Sequence, residues 1–276
     1  MKRDTGNKLL VVLMVALSVV VMLSGCDSSD EKARKQIALL TSADEFDKVK
    51  ALAEKGDIKA ESKLGFRYYY GFGVKRDAKM AFSWYMKAAE KGDSGAQWAI
   101  GDLYESGLAV AADQHEANKW FAKSADQGNS YAQHRLGKSF ENGKGCKKDS
   151  KIAVDLYKKS AEKGISEAQY DLGNCFLTGE GIDKDERMAA HYYRKAALQE
   201  FVPAIFALGV CYENGQGVMQ DTNEAYAYWK IIENRHPGAS RKIAELRKTM
   251  PQKQIEVASD RSRALRKEIE LFREKK

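Results

Sequence analysis

The chain has 276 residues, of which 43% are hydrophobic and 31% are charged, a composition typical of globular proteins. Its net charge of +7 lies at the two ends, because residues 1–26 carry +2 and residues 237–276 carry +6, which leaves −1 for the sequence between them. A body with almost no net charge lacks the clustered basic residues that hold nucleic acid, so we exclude a nucleic-acid-binding body.

Residues 1–25 are typical of a secretory signal peptide. A basic head, MKRDTGNK, precedes an apolar run of 15 residues at positions 9–23. This run is shorter than the ~20 residues of a membrane span, and it has the length and the charged flank of a signal-peptide core. The alternative is an uncleaved membrane anchor. Either interpretation places the rest of the chain outside the cytoplasm and next to a membrane.

The sequence LSGC at positions 23–26 resembles the bacterial lipoprotein signal. The resemblance implies that Cys26 is acylated, with palmitate among the attached chains, and that residues 26–40 form a polar tether. It also implies that Asp27 keeps the protein at the inner membrane, with the outer membrane as the alternative. We therefore expect a lipid-anchored protein of the bacterial cell envelope that faces the periplasm.

Residues 56–235 repeat with a period of 36, which indicates a solenoid. The framework columns are Gly65, Gly101, Gly137, Gly173 and Gly209; Ala60, Ala96, Ala132, Ala168 and Ala204; and Asp77, Asp113, Asp149, Asp185 and Asp221. A further column, Gly56, Gly92, Gly128 and Gly164, marks the boundaries between repeats, and Glu200 replaces the glycine at the fifth boundary.

Each repeat is predicted to form two helices joined by a glycine-containing turn. In the fourth repeat, Ala168, Leu172 and Phe176 follow a spacing of four residues and form one apolar stripe of a first helix. Asp185 is the expected N-cap of the second helix, as are the other aspartates of its column. In the second and fifth repeats, the spacing Asp-x-x-Glu also predicts a capping box, in which the glutamate side chain accepts from the N–H of the cap residue.

Five copies of the pattern ALG..Y..G.GV..D..A..WY.KAA..G resemble the Sel1-like repeat, a relative of the tetratricopeptide repeat. The resemblance covers residues 56–235 and implies an all-α fold, a right-handed α/α solenoid of about five helix-turn-helix repeats. Residues 41–55 are predicted to form an N-terminal cap helix, and residues 236–276 are predicted to form a basic helical cap.

The turn of the third repeat, ENGKGCKKDS at residues 141–150, does not match a phosphate-binding loop, because no strand precedes it and its spacing differs. Cys146 occupies a column of valine and isoleucine, which favours a small buried side chain over a thiol activated by Lys147 and Lys148. The spacing of cysteines and histidines matches no zinc site, and no catalytic motif is present. We therefore predict that the protein is not an enzyme and takes no cofactor or metal.

A partner is expected on the first helices of the repeats, because in tetratricopeptide-like stacks these helices line the concave face. At 100° per residue, the positions opposite the apolar stripe form a second stripe, whose residues differ among the repeats. Apolar groups such as Phe66, Tyr70 and Val210 favour a binding surface over the alternative, an ordinary solvated surface. The candidate stripe consists of Lys63, Phe66, Tyr70, Ala99, Asp102, Ser106, Arg135, Lys138, Asn142, Asp171, Asn174, Thr178, Ala207, Val210 and Asn214.

Two functions fit this surface. The first is a membrane-tethered periplasmic scaffold or adaptor that binds envelope proteins, or a peptide or helix segment, on the concave face. The second is an immunity or inhibitor lipoprotein that neutralises a periplasmic toxin or lipase effector. Because the stripe is mixed in chemistry and lacks a dominant acidic or aromatic plug, we favour the adaptor.

Overall fold

The computed structural model describes residues 43–274, in which thirteen helices and no strand are found. The expected all-α architecture is confirmed. The contacts divide the chain into two compact units, one ending at Gln127 and the other beginning at Gly128. The signal peptide and the tether with Cys26 and Asp27 lie outside the described residues. None of the helices that are described is long and apolar enough to cross a membrane.

The first unit contains a leading helix and two repeats. In every repeat, the first helix is here called the A helix and the second is called the B helix. The helices are α1 (Ala43–Glu54); α2 (Ile58–Tyr70) and α3 (Ala78–Glu90), which form repeat 1; and α4 (Ser94–Ser106) and α5 (Gln114–Asp126), which form repeat 2.

The second unit contains three repeats and two further helices. These are α6 (Ser130–Asn142) and α7 (Ser150–Glu162) of repeat 3; α8 (Ser166–Thr178) and α9 (Glu186–Ala197) of repeat 4; α10 (Val202–Asn214) and α11 (Thr222–Ile231) of repeat 5; and α12 (Pro237–Leu246) and α13 (Gln252–Glu274). Helix α13 lies along α11 and buries Leu265 and Ile269, and its Arg261 donates to the carboxylate of Glu224 at 2.5 Å.

Each B helix begins at the aspartate that the repeat predicts. The Oδ1 atom of each one accepts hydrogen bonds of 2.8–3.1 Å from the backbone N–H groups two and three residues later. The confirmed N-caps are Asp77, Asp113, Asp149, Asp185 and Asp221. Each side chain satisfies two N–H groups that the first turn of a helix leaves without an intrahelical partner.

The predicted capping boxes are wrong. The N–H of Asp113 donates to the carbonyl of Tyr104 at 3.0 Å, and the N–H of Asp221 donates to the carbonyl of Tyr212 at 2.9 Å. The turn between the A and B helices therefore already satisfies the group that a capping-box glutamate would bind. One of these glutamates, Glu224, instead pairs with Arg261.

A glycine in each A helix gives room for an aromatic ring of the B helix in the same repeat. A Cβ atom placed on Gly173 would lie 2.6 Å from a ring carbon of Tyr193, far closer than van der Waals contact. The five pairs are Gly65 with Tyr85, Gly101 with Phe121, Gly137 with Tyr157, Gly173 with Tyr193, and Gly209 with Trp229. All five rings are buried, so this column of glycines allows the core of each repeat to close.

The boundary between repeats 4 and 5 departs from the glycine pattern. Gly56, Gly92, Gly128 and Gly164 all have positive φ, and Glu200 has φ 60° at the equivalent place. It is the one non-glycine residue with positive φ among residues 43–274. Its carboxylate lies 3.3 Å from the guanidinium of Arg273 in α13.

Candidate partner-binding surface

The side chains of the candidate stripe differ in their exposure to solvent. Half-buried side chains are Phe66, Tyr70, Asp102, Arg135, Lys138, Asn174, Ala207 and Val210; exposed ones are Lys63, Ser106, Asn142, Thr178 and Asn214. Ala99 and Asp171 are buried, each with 8% of its surface exposed. The expectation of an accessible stripe is therefore wrong at these two positions, because A helices contact neighbours on more than one side.

The exposed ends of the stripe contain small polar side chains that bind their own helices. Ser106 donates to the carbonyl of Leu103 at 3.4 Å. Asn142 donates to the carbonyl of Lys138 at 2.8 Å, and Thr178 donates to the carbonyl of Asn174 at 3.0 Å. These bonds satisfy carbonyl groups in the last turns of the A helices. Local hydrogen bonding at the helix ends therefore explains the small polar residues at these positions, and no bound ligand is needed to explain them.

Four rings at the end of α2 and in the following turn form a cluster, here called the aromatic patch: Phe66, Tyr69, Tyr70 and Phe72. The ring centroids of Phe66 and Tyr70 are 4.7 Å apart, and those of Tyr69 and Tyr70 are 4.8 Å apart. Phe72 lies 5.6 Å from Phe66 and 5.9 Å from Tyr70. Phe72 is buried and the other three rings are half-buried, so the patch consists of one buried ring and three partly accessible rings.

Asp102 of α4 brings a negative charge to this patch. It hydrogen-bonds to Tyr69, and it raises the pKa of that phenol, although burial contributes more. Burial, then Tyr69 and then Asp102 raise the pKa of Tyr70 to about 12. Both phenols therefore remain neutral at pH 7, and they provide donors and ring faces rather than charges.

The leading helix does not bury the patch through ring contacts. Its Phe46 packs edge-on against Tyr68, with the ring centroids 5.7 Å apart. Phe46 and Tyr68 contact a separate core cluster with Val49, Ala53, Ala60, Leu64 and Trp84. Phe66 instead packs against the cluster around Tyr85 and Leu103. This arrangement therefore indicates that the patch rings do not hold α1 in place.

In the second unit, two charged stripe residues, Lys138 and Asp171, form ion pairs within the protein. His134 Nε2 of α6 lies 2.8 Å from Asp171 Oδ2 of α8, and Lys138 Nζ lies 3.7 Å from Asp171 Oδ1. Lys138 also contacts Glu141 at 2.6 Å. The two pairs with Asp171 join the A helices of repeats 3 and 4, so charges predicted to contact a partner also stabilise the contact between repeats.

The remaining stripe residues of this unit belong largely to the framework. Asn174 accepts a hydrogen bond of 2.7 Å from the hydroxyl of the buried Tyr193. Ala207 and Val210 pack against the core cluster of repeat 5, and Asn214 donates to the side chain of Gln216 at 3.4 Å. The second unit therefore offers fewer freely accessible side chains than the stripe suggested.

A hollow of the second unit, about 700 Å³ and open to solvent, lies at the turns of repeats 4 and 5. Its acidic residues are already engaged, because Asp185 caps α9 and Glu186 pairs with Lys184 at 2.9 Å. Within residues 43–274, no group of three or more histidine, cysteine or acidic side chains could hold a metal ion. The two acidic residues of the hollow therefore act within the fold, one in a helix cap and the other in an ion pair.

The three cysteines among residues 43–274 are free thiols. Cys146 is half-buried, and Cys175 and Cys211 are buried. Burial raises the pKa of Cys146, which is opposite to the shift that activation by Lys147 or Lys148 would produce. The turn ENGKGCKKDS therefore connects two helices, as its sequence indicated, and presents no activated nucleophile.

The stripe missed two rings of the patch, Tyr69 and Phe72, and it also missed Arg76, which lies next to the patch. The Arg76 guanidinium lies 5.8 Å from the centroid of the Tyr69 ring. The run FRYYYGF at residues 66–72 was the signal, because no other repeat places so many rings at this point. The angular rule selects one face of one helix, so it omits the turn and the adjacent face.

The chain matches the Sel1 repeat over residues 58–93, 94–129, 130–165, 166–201 and 202–231. It is similar to a protective antigen of uropathogenic Escherichia coli with an SLR fold, at 29% identity and a TM-score of 0.58, over 83% of this chain and 57% of that chain. It is also similar to a Sel1 repeat protein from Oxalobacter formigenes, at 32% identity and a TM-score of 0.61, over 66% of this chain and 75% of that chain. An immunity protein from Pseudomonas aeruginosa is more distant, at 19% identity and a TM-score of 0.43, over 73% of this chain and 81% of that chain. No curated protein matches the chain.

Proposed function

The chain belongs to the Sel1 repeat family, and on that premise we propose that it is a membrane-tethered scaffold of the bacterial periplasm that binds a protein partner on its A helices. Sel1 repeat proteins mediate protein–protein interactions. The membrane, the compartment and the binding face are the parts that this proposal adds.

The aromatic patch is the observation that carries the proposal. Three half-buried rings, Phe66, Tyr69 and Tyr70, lie near Asp102, and the buried Phe72 packs against Phe66 and Tyr70. Partly exposed aromatic groups beside polar ones are typical of the anchor points of protein interfaces. The patch contains the two stripe positions, 66 and 70, at which only repeat 1 has aromatic residues.

The proposed location rests on the N-terminal sequence. The basic head, the apolar run of 15 residues and LSGC support acylation at Cys26. Asp27 supports retention at the inner membrane, with the outer membrane as the alternative. We also propose that the protein is not an enzyme, because the acidic residues of the hollow at the turns of repeats 4 and 5 cap a helix or form an ion pair within the fold.

Capture from detergent-solubilised envelope tests the proposed function. The full chain is the bait, beside the double variant Phe66→Ala with Tyr70→Ala. The matched control is Trp120→Ala, because Trp120 is a half-buried aromatic residue of the same unit that lies outside the patch. We expect wild type and the control to retain the same partner, and the double variant to lose it while its circular dichroism spectrum stays helical.

The identity of the captured protein decides between the two roles. An envelope protein retained by the patch indicates the adaptor. A toxin or lipase whose activity falls when the chain is added indicates the inhibitor instead. Equal capture by wild type and the folded double variant would show that the patch is not the binding surface.

A further inference from the structure

We propose that the aromatic patch binds a basic segment of its protein partner, in which an arginine or lysine side chain lies beside an apolar one. This inference rests on the proposed function and adds the chemistry of the partner. It follows from the arrangement of the rings, from a cation that already lies over one of them, and from the carboxylate at the edge of the patch.

The rings provide a site for an apolar side chain. Phe72 is buried and packs against Phe66 and Tyr70, and its plane is inclined by only 24° to that of Tyr70. The accessible parts of the half-buried rings are apolar surface that a partner can remove from water. Because the ring contacts fix these side chains before binding, little rotamer freedom remains to be lost on association.

Arg76 shows that these rings accept a cation. Its guanidinium lies 5.8 Å from the centroid of Tyr69, within the distance at which the electron-rich face of a ring attracts a positive charge. Arg76 is exposed and lies in the turn after α2, so it contacts the patch from its edge. The partly accessible rings of Phe66 and Tyr70 offer the same chemistry to an arginine or lysine from outside.

The carboxylate of Asp102 brings a negative charge to the patch. It raises the pKa of Tyr69 and of Tyr70, and on each phenol this effect exceeds the opposite effect of Arg76. At the two hydroxyl groups, the negative charge of Asp102 therefore has a larger effect than the positive charge of Arg76. An acidic segment would be repelled, whereas a basic one would be attracted and oriented.

Three labelled peptides of equal length test the inference by fluorescence polarisation. They alternate leucine with arginine, leucine with glutamate, or serine with arginine, and the full chain is kept in neutral detergent. We expect the leucine–arginine peptide to bind about tenfold or more tightly than either of the others, because both the apolar anchor and the charge are required.

Variants of the patch assign the contribution of each group. We expect Asp102→Asn, which preserves shape, to weaken the leucine–arginine peptide about threefold. Tyr70→Ala should weaken it about tenfold, while Tyr70→Phe should retain binding because the ring is kept. Asp126→Asn is the matched control, since Asp126 is an exposed acid of the same unit on α5, and it should change nothing.

The basic-partner inference is overturned if the leucine–glutamate peptide binds best, if Asp102→Asn strengthens binding, or if none of the peptides binds. The envelope capture experiment stands apart from these outcomes. A partner that is lost with Phe66→Ala and Tyr70→Ala supports the proposed function even when the peptides fail. Failure of both experiments removes the scaffold and the inference together.

Discussion

The Nε2 atom of His134 lies 2.8 Å from the Oδ2 atom of Asp171, and both side chains are largely buried, at 14% and 12% exposure. His134 belongs to the A helix of repeat 3 and Asp171 to the A helix of repeat 4. Neither position is part of a framework column. The repeats are therefore joined here by a polar contact that is particular to this pair.

We expect Asp171→Ala to lower the free energy of unfolding by about 1–3 kcal/mol, because it leaves the largely buried His134 without its acceptor. Asp155→Ala is the control, since the Asp155 side chain is 71% exposed and its nearest cation, Lys158, is 3.9 Å away. That change should stay within about 0.5 kcal/mol. Urea denaturation measures both, and equal effects would refute a structural role for the pair.

The period of 36 predicted the helices, the turns and the five aspartate caps. These features depend on interactions between residues close in sequence, and the same residues recur at these positions in each repeat. The burial of Asp171 did not follow from the same pattern. The angular rule assumes that an A helix has one buried face, yet α8 contacts Tyr193 of its own repeat through Gly173 and His134 of the preceding repeat through Asp171.

The candidate surface was predicted only in part, for a similar reason. Phe66 and Tyr70 lie on the selected face, and both belong to the aromatic patch. Tyr69 and Phe72 lie on another face and in the turn, where they join the patch through ring contacts across the end of α2. No periodicity within one helix reports such contacts, so they require the three-dimensional structure.

Gly173→Ala should destabilise the protein by about 1–3 kcal/mol, because the added methyl group would collide with the ring of Tyr193. Combining it with Tyr193→Leu should recover part of the loss. The control is Gly95→Ala in the first turn of α4, where the nearest atom to the new Cβ is an Asp93 carboxylate oxygen at 3.3 Å. Gly95→Ala should leave the free energy of unfolding unchanged or raise it by up to about 1 kcal/mol, because alanine favours a helix more than glycine does. A tolerated Gly173→Ala in thermal unfolding would contradict the packing argument.

Glu200→Gly should raise the stability by about 0.5–1 kcal/mol, because glycine adopts the φ of 60° without the steric cost that Glu200 incurs. The change also removes the contact with Arg273, which is exposed and contributes little. Glu200→Gln is the control, as it loses the charge but keeps the strained backbone, and it should not be stabilised. If both variants melt at the wild-type temperature, the backbone at residue 200 is not under strain.

Cys26→Ser should abolish lipid attachment, because the thiol is the nucleophile that takes the lipid in the proposed signal. Incorporation of radioactive palmitate and the partition of the chain into the membrane fraction measure this. Cys146→Ser is the matched control and should label like wild type, since Cys146 lies in the turn between α6 and α7. Unchanged labelling of Cys26→Ser would show that the LSGC sequence is not a lipidation site.

Stability should fall at alkaline pH because two thiols are buried. Burial, with smaller contributions from nearby carboxylates, raises the pKa of Cys175 to about 12 and that of Cys211 to about 11, from the usual 9.0. The unfolded chain therefore loses these protons at lower pH than the folded one, so the stability is full below pH 9 and declines as the pH rises toward 11–12. Cys175→Ala should have a shallower decline than wild type, and an identical slope would contradict the assignment.

The same burial predicts the order in which the thiols react with an alkylating reagent. Cys146 is half-buried, whereas Cys175 and Cys211 are buried and keep their protons to higher pH. Because the thiolate is the reactive form, Cys146 should be labelled first in the native protein. The two buried thiols should react only as rapidly as the surrounding repeat opens, and urea should make all three react alike. Mass spectrometry of timed samples assigns each site, and native labelling of Cys175 at the rate of Cys146 would show that the core of repeat 4 is open to solvent.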